Sequence, residues 1–148
     1  MSFLKTILSF LCLTISAYSY SSVLLKDIGG QTIPFSSLKG KWVLINYWAS
    51  WCQPCLDEIS ELNYFYEKNK DKVALFAVNF DLLPLPSQIA LIRKYKISYP
   101  SLQSDPAKAL DLGDIRGVPA TFVFNQNGKL QTTLYGGQSV ASLKRATT

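Results

Sequence analysis

The chain has 148 residues, of which 48% are hydrophobic and 17% charged, as is typical of a folded protein. This is the length of one ordinary domain, which excludes two domains with separate cores. The net charge is +5, and its lysines and arginines are dispersed without a long basic run, so the pattern favours solvated surface charge over a nucleic-acid-binding face.

The N-terminal segment has the layout of a secretory signal. Lys5 precedes an apolar run at residues 7–15, and small residues follow up to Ser19. The run is shorter than the roughly 20 apolar residues that cross a bilayer. We expect residues 1–19 to be a signal peptide, with an uncleaved membrane anchor as the alternative. Residues 20–148 are then a single domain in the periplasm or an equivalent extracytoplasmic space.

Strand and helix patterns alternate after this segment. WVLINYW at 42–48 is apolar, aromatic and β-branched, which predicts a strand buried on both faces of a sheet. Apolar residues then recur at helical spacing from residue 56, and VALFAVN at 73–79 predicts a second buried strand. A helix between two such strands indicates a parallel βαβ unit.

Two further helices are predicted in the middle of the chain. Pro86 is followed by apolar residues at helical spacing. Asp105 and Pro106 have the types expected of an N-cap and a first-turn proline, and they predict a short helix that runs toward Leu112.

The C-terminal part predicts a hairpin and a closing helix. TFVF at 121–124 and KLQTTLY at 129–135 flank Asn125 to Gly128, in which Asn127-Gly128 is a strong hairpin signal. This end of the sheet is therefore expected to be antiparallel. The segment 139–146 predicts a short helix that follows it.

Two cysteines two residues apart, Cys52 and Cys55, lie in WASWCQPC at 48–55. Structural zinc needs four ligands, and the chain has no histidine to complete them, so a zinc site is disfavoured. A purely structural disulfide is disfavoured because so small a loop removes little entropy from the unfolded chain. A two-coordinate Cu(I) site stays open, since soft thiolates select that ion.

A reacting dithiol explains more of the surroundings of this pair. It lies between a predicted strand and the first turn of a predicted helix, where free N–H groups and the helix dipole favour a thiolate. We expect Cys52 to be the exposed nucleophile and Cys55 to attack the resulting mixed disulfide. Pro54 costs no hydrogen bond in the first turn and fixes the backbone between the sulfurs.

These residues resemble the thioredoxin-like proteins, and within them the exported TlpA/ResA/DsbE (CcmG) branch of thiol-disulfide oxidoreductases. The resemblance rests on residues 24–55, which look like that branch's N-terminal hairpin and WCxPC motif, on Glu58, and on GVPATFVFNQNGKL at 117–130. It implies an α/β thioredoxin-like fold, in which helices flank a mixed central sheet and a β-hairpin extends the N-terminus.

The resemblance also implies roles for residues near the cysteines. Pro119 matches the cis-proline beside the disulfide, where the backbone of Val118 pairs with an extended substrate segment. Glu58 matches an acidic residue that raises the thiol pKa or relays a proton. From the sequence alone, a solvated glutamate on the helix is the alternative. The residues assigned to the substrate surface are Trp51, Gln53, Pro54 and Val118.

Two substitutions relative to known relatives bear on these roles. Asn46 takes the buried position where cytoplasmic thioredoxins carry an aspartate, which leaves Glu58 as the better candidate for a proton acceptor. Ala120 stands where cytochrome c maturation members often carry a glutamate, which weakens assignment to that specific task.

The resemblance leads us to expect a reductant of protein disulfides, because Gln-Pro between the cysteines resembles the reducing members. The expected clients are apocytochrome c or copper-site proteins, and the expected electron donor is a membrane protein of the DsbD/CcdA type. A disulfide oxidase or isomerase and a Cu(I) metallochaperone are the alternatives. We expect a monomer with no nucleic-acid partner, no metal, and no cofactor besides the redox-active Cys52–Cys55 disulfide.

Overall fold

The computed structural model describes residues 22–148, so the predicted signal or anchor at 1–19 lies outside the described residues. Within this range no helix combines the length and the apolar character needed to cross a membrane. The strands are β1 (Leu24–Lys26), β2 (Thr32–Pro34), β3 (Trp42–Trp48), β4 (Val73–Asn79), β5 (Ser101–Leu102), β6 (Ala120–Phe124) and β7 (Leu130–Tyr135). The helices are α1 (Gln53–Asn69), α2 (Leu85–Lys94) and α3 (Val140–Ala146), with a 3-10 turn at Phe35–Leu38.

A five-stranded sheet in the order β5-β4-β3-β6-β7 forms the centre of the molecule. β3 pairs in parallel with β4 and in antiparallel with β6, so the sheet is mixed. β1 and β2 form a separate antiparallel hairpin. The predicted mixed sheet and N-terminal hairpin are confirmed, and β3 and β4 have the predicted bounds.

The side chains of β3 alternate between two apolar clusters, one on each face of the sheet. Leu44 and Trp48 lie in the cluster to which the helices contribute, including Leu62 of α1 and Leu143 of α3. Ile45 and the other odd-numbered residues of β3 lie in the opposite cluster, which the N-terminal hairpin and the segment before β6 cover. Since β3 is buried on both faces, polar groups at its carboxyl end lie between two apolar layers.

The helix predicted from Asp105 toward Leu112 is wrong, because residues 107–111 form turns. The carboxylate of Asp105 does accept a hydrogen bond from the Ala107 N–H at 2.8 Å, as a cap would. The Leu112 N–H, however, donates to the Ala107 carbonyl five residues earlier, and Asp111 has a positive φ of 53°. A left-handed residue and a wide turn end the helical path after one turn.

The C-terminal hairpin and helix are confirmed. Asn125 Oδ1 accepts hydrogen bonds from the N–H groups of Asn127 and Lys129, and Gly128 has a φ of 77°, which glycine adopts without strain. The Ser139 hydroxyl oxygen accepts from the Ser142 N–H and caps α3. The loop between β7 and α3 is held to α1 by the N–H groups of Gln138 and Val140, which donate to Glu58 and Glu61.

Candidate active site

Cys52 and Cys55 lie at the start of α1, directly after the carboxyl end of β3, and are joined by a disulfide with their Cα atoms 5.3 Å apart. Cys52 is the N-cap residue, and its Sγ accepts a hydrogen bond from the Cys55 N–H at 3.2 Å. Pro54 occupies the first turn, as predicted. The free N–H groups and dipole of α1 therefore act at the sulfur of Cys52.

The two sulfurs differ in burial. Cys52 is 5% exposed and Cys55 is 0% exposed, so the outer residue is the predicted one. The expectation of an exposed Cys52 is nevertheless wrong, because Cys52 belongs to the same buried cluster as Trp48 and Ala49. A partner protein can therefore contact only a small exposed part of Cys52 and no part of Cys55.

An aspartate from the neighbouring strand fixes the loop that precedes the cysteines. Asp81, two residues beyond β4, accepts hydrogen bonds from the N–H and the hydroxyl of Ser50 at 2.8 and 2.9 Å. The side-chain amide of Asn79 donates to the same carboxylate at 2.7 Å. Sequence reasoning missed this contact, for which the available signal was an acidic residue just after a parallel strand beside β3.

The motif residues assigned to the substrate surface lie around the disulfide. Trp51 is 70% exposed, and Pro54 is exposed. Gln53 is also exposed and donates from its side-chain amide to Asp57 at 2.7 Å. A large exposed aromatic ring next to a reactive group is the kind of surface that binds a polypeptide.

Val118 and Pro119 lie at the same edge of the sheet as the cysteines. The peptide bond between them is cis. The next residue, Ala120, begins β6 and is paired with Tyr47 near the end of β3. Pro119 is buried and Val118 is partly buried, so the predicted partner-pairing segment reaches the end of the strand that leads into the dithiol.

Glu58 is 2% exposed, so the alternative of a solvated glutamate is wrong. The side-chain amide of Asn46 donates to Oε1 at 2.8 Å, and the N–H of Gln138 donates to Oε2 at 2.8 Å. Burial raises the pKa of Glu58 from 4.5 to about 7, and these two hydrogen bonds oppose part of that rise. A carboxyl with this pKa gains and loses a proton near neutral pH.

Asn46 is itself fixed by further buried groups. Its amide nitrogen also donates to the Thr121 hydroxyl at 3.0 Å, and its oxygen accepts from the Tyr99 hydroxyl at 3.3 Å. Burial raises the pKa of Tyr99, and the nearby charge of Glu58 adds to the rise, so Tyr99 stays protonated. Sequence reasoning singled out Asn46 and Glu58 but missed Gln138, Thr121 and Tyr99.

The groups brought together are a redox-active pair of sulfurs and a buried carboxyl one helical turn further along α1. In the part of the chain that the structure describes, no three His, Cys, Asp or Glu side chains are grouped as a metal site. Two adjacent sulfurs and a carboxyl group that titrates near neutral pH are the kinds of group that thiol-disulfide exchange can use.

Comparison with known proteins agrees with this chemistry. The chain matches the AhpC/TSA family over residues 20–133. The thiol-disulfide oxidoreductase ResA of Bacillus subtilis is 33% identical over 116 residues, which are 76% of this chain and 63% of ResA. The chain therefore spans slightly less than two thirds of that relative's length.

Two solved structures extend the comparison to the fold. StoA from Bacillus subtilis superposes with a TM-score of 0.66 and 27% identity, over 83% of this chain and 93% of StoA. A thiol:disulfide interchange protein of the thioredoxin family from Chlorobium tepidum gives a TM-score of 0.69 and 26% identity, over 84% and 90%. The predicted thioredoxin-like fold is confirmed. The chain belongs to the AhpC/TSA family.

Proposed function

We propose that the protein is an exported oxidoreductase that reduces disulfides in other proteins. The observation that carries the proposal is the Cys52–Cys55 pair at the N-terminus of α1, in which Cys52 is 5% exposed and Cys55 is 0% exposed, one helical turn before a buried carboxyl group. The exported location depends on the predicted signal at 1–19.

The exchange proceeds through two displacements at sulfur. The Cys52 thiolate attacks one sulfur of the partner's disulfide, a bond forms between them, and the partner's second sulfur leaves with the electron pair and takes up a proton. The Cys55 thiol then loses its proton and attacks Cys52. The internal disulfide forms, the partner's first sulfur leaves and is protonated, and two electrons have passed to the partner.

The burial of the two sulfurs supports this order. Cys55 is 0% exposed, so its sulfur can react only with a mixed disulfide that has already formed at Cys52 of the same chain. Cys52 has both the surface access and the helix N-terminus that stabilises a thiolate. The partly buried segment at Val118 and the exposed ring of Trp51 supply the surfaces on which an extended partner segment would lie.

The buried carboxyl supports the reducing direction. An ionised Glu58 close to the dithiol disfavours a second negative charge, which raises the thiol pKa and opposes the helix N-terminus. Strong oxidants of this fold are strong because their reduced form is stabilised. A group that destabilises the thiolate therefore favours a reductant, in agreement with Gln53-Pro54 between the cysteines.

The partners are proposed from the resemblance. A reductant outside the cytoplasm needs a supply of electrons through the membrane, for which a donor of the DsbD/CcdA type is suited. Apocytochrome c and copper-site proteins are clients whose cysteines must be reduced before they bind their cofactors. Ala120 weakens the assignment to cytochrome c.

The direction is tested by the equilibrium reduction potential of residues 20–148. The redox state is followed by tryptophan fluorescence in defined thiol-disulfide buffers, with Trp51 beside the disulfide as a probe. We expect a value near or below about −250 mV, the range of dedicated reductants. A value near about −130 mV would instead make the protein a disulfide donor.

The order of attack is tested with single cysteine variants of the full chain in cells. Cys52→Ser should abolish exchange, whereas Cys55→Ser should accumulate mixed disulfides with partner proteins because the second displacement is lost. Cys12→Ser is the matched control, since Cys12 lies in the predicted signal segment, and it should behave as wild type. Equal trapping by both active-site variants would contradict the assigned order.

A further inference from the structure

A cleft of about 250 Å³ lies between the start of α1 and the loop that joins β7 to α3. The residues that line it are Pro54, Asp57, Glu58, Gly137 and Gln138. Pro54 separates the two cysteines, so one wall of the cleft begins at the dithiol. The other wall reaches Glu58, which is otherwise buried.

The two oxygens of Glu58 have different surroundings. Oε1 accepts from Asn46, whose remaining polar groups are held by Thr121 and Tyr99 inside the protein. Oε2 accepts from the N–H of Gln138, a residue of the cleft wall. A proton on Oε1 would be enclosed by fixed side chains, whereas a proton on Oε2 lies beside a space open to water.

Glycine at position 137 determines how open this space is. A Cβ atom built on Gly137 would lie 3.5 Å from the carbonyl oxygen of Pro54, which is an ordinary contact. A longer side chain on that Cβ would extend along the first turn of α1 and occupy the cleft. Gly137 does not have the positive φ of its neighbour Gly136, so a substitution there is free of backbone strain.

We propose that this cleft is the path by which Glu58 exchanges a proton with solvent during the second displacement. The inference rests on the proposed function, whose second displacement needs an acceptor for the proton of Cys55, and it assigns that role to Glu58. The Cys55 S–H bond breaks and a Glu58 O–H bond forms as the internal disulfide closes and the partner's sulfur leaves with its electron pair. Glu58 then gives the proton to water in the cleft and returns to the carboxylate.

The other titratable groups near Glu58 fit this route. Tyr99, before β5, is buried and stays protonated, so it does not accept the proton. Glu61, one turn further along α1, accepts from the Val140 N–H at 2.7 Å and ties α3 to α1. Asp57 is exposed and lines the cleft, so the cleft reaches bulk water at this residue.

The test compares three substitutions at one position: Gly137→Ala, Gly137→Leu and Gly137→Asp. A mixed disulfide between Cys52 and a coloured aromatic thiol is formed, and release of the thiol is followed by stopped flow as a function of pH. Leucine closes the cleft with an apolar side chain, so we expect release to slow by about tenfold. Alanine leaves the cleft open, and aspartate has as many side-chain heavy atoms as leucine but carries a group that relays protons, so both should retain fast release.

A shift of the reduction potential would indicate a structural effect, because a proton path alters a rate and leaves the equilibrium unchanged. We therefore expect one potential for wild type and for the leucine and alanine variants, whose side chains carry no charge. Equal release rates for the leucine and alanine variants would overturn the inference, as would equal slowing by leucine and aspartate. If leucine prevents folding, Gly137→Val replaces it in the same comparison. Absence of release from wild type would remove the proposed function and this inference together.

Discussion

Asn46 and Tyr47, neighbours on β3, each donate a hydrogen bond to a carboxylate, and they do so on opposite faces of the sheet. Asn46 donates to Glu58 at 2.8 Å on the face that α1 covers. Tyr47 donates to Asp105 at 2.6 Å on the other face. The two donors are both 0% exposed, but Glu58 is buried and Asp105 is exposed.

The two contacts differ in whether the negative charge of the carboxylate is exposed to water or buried. At the Asp105 contact the charge lies in water and the buried partner is a tyrosine, whose pKa rises through burial and through the adjacent carboxylate. That tyrosine keeps its proton at every physiological pH. At the Glu58 contact the charge itself is buried beside a neutral amide, and the pKa of the carboxyl rises to about 7.

Similar hydrogen bonds therefore have different consequences for chemistry. The Tyr47–Asp105 contact ties a loop to the sheet, and its tyrosine has no proton to exchange near neutral pH. The Asn46–Glu58 contact holds a group that does have one, next to the dithiol. The burial of the carboxyl, and not the length of the hydrogen bond, separates the reactive contact from the structural one.

The largest expected effect is that of Glu58→Gln on the pH dependence of the unfolding free energy. Below pH 4.5 Glu58 is protonated in both the folded and the unfolded chain, and its contribution is fully present. As pH rises toward about 7 the unfolded chain ionises first, so wild type loses about 3 kcal/mol of unfolding free energy that the glutamine variant does not lose. Urea unfolding of both proteins on the two sides of this interval measures the difference.

The unfolding free energy of Glu58→Gln at any single pH also depends on a second effect, because an amide nitrogen placed at Oε2 would face the Gln138 N–H. The prediction therefore concerns the change with pH and not the value at one pH. Asp105→Asn is the matched control on the other face of the sheet. It should show no loss of this size over the same interval. A constant difference between Glu58→Gln and wild type at all pH values would contradict the buried, titrating carboxyl.

A smaller effect is expected for Asn46→Ala. The substitution removes the donor to Glu58 and leaves Thr121 and the Tyr99 hydroxyl without a partner in a buried site, which should cost about 2 kcal/mol. The loss should grow when Glu58 is ionised, because a buried charge then lacks one of its two donors. Asn46→Ser, which retains a short donor, should restore part of the stability, and unfolding at low and high pH distinguishes the two states of Glu58.

The smallest effect is expected for Tyr47→Phe. Its hydroxyl donates to an exposed carboxylate, so the lost hydrogen bond should cost only about 1 kcal/mol. The pH profile of disulfide exchange should match that of wild type, since Glu58 and its donors lie on the other face. A changed exchange profile in this variant would break the distinction between the two contacts.

Much of the fold could be predicted because its central strands carry an unambiguous pattern. The runs at 42–48 and 73–79 are apolar on both faces, and their bounds coincide with β3 and β4. The cysteines, the start of α1 and the hairpin at Asn127-Gly128 likewise depend on local chemistry. Local patterns are sufficient where the neighbouring residues in sequence determine the conformation.

Long-range contacts account for what could not be predicted. Asp105 has the residue type of a helix cap, but its carboxylate also accepts from Tyr47, which comes from a strand far away in sequence. The identity of Glu58 indicates an acid, while its burial and its bond to the N–H of Gln138 depend on how α3 packs on α1. A backbone N–H donor leaves no signature in the side-chain sequence, so Gln138 could not have been found before the fold was known.

The contact between Asp81 and Ser50 limits how this dithiol could be transplanted into another scaffold. A graft of SWCQPC alone would leave the N–H and hydroxyl of Ser50 without their acceptor, and the loop would reach the cysteines in several orientations. The recipient would need two adjacent parallel strands that end at the same level, with an aspartate two residues beyond the second. The unit that would have to be transferred is therefore the ends of both strands, and the WCxPC motif lies at only one of them.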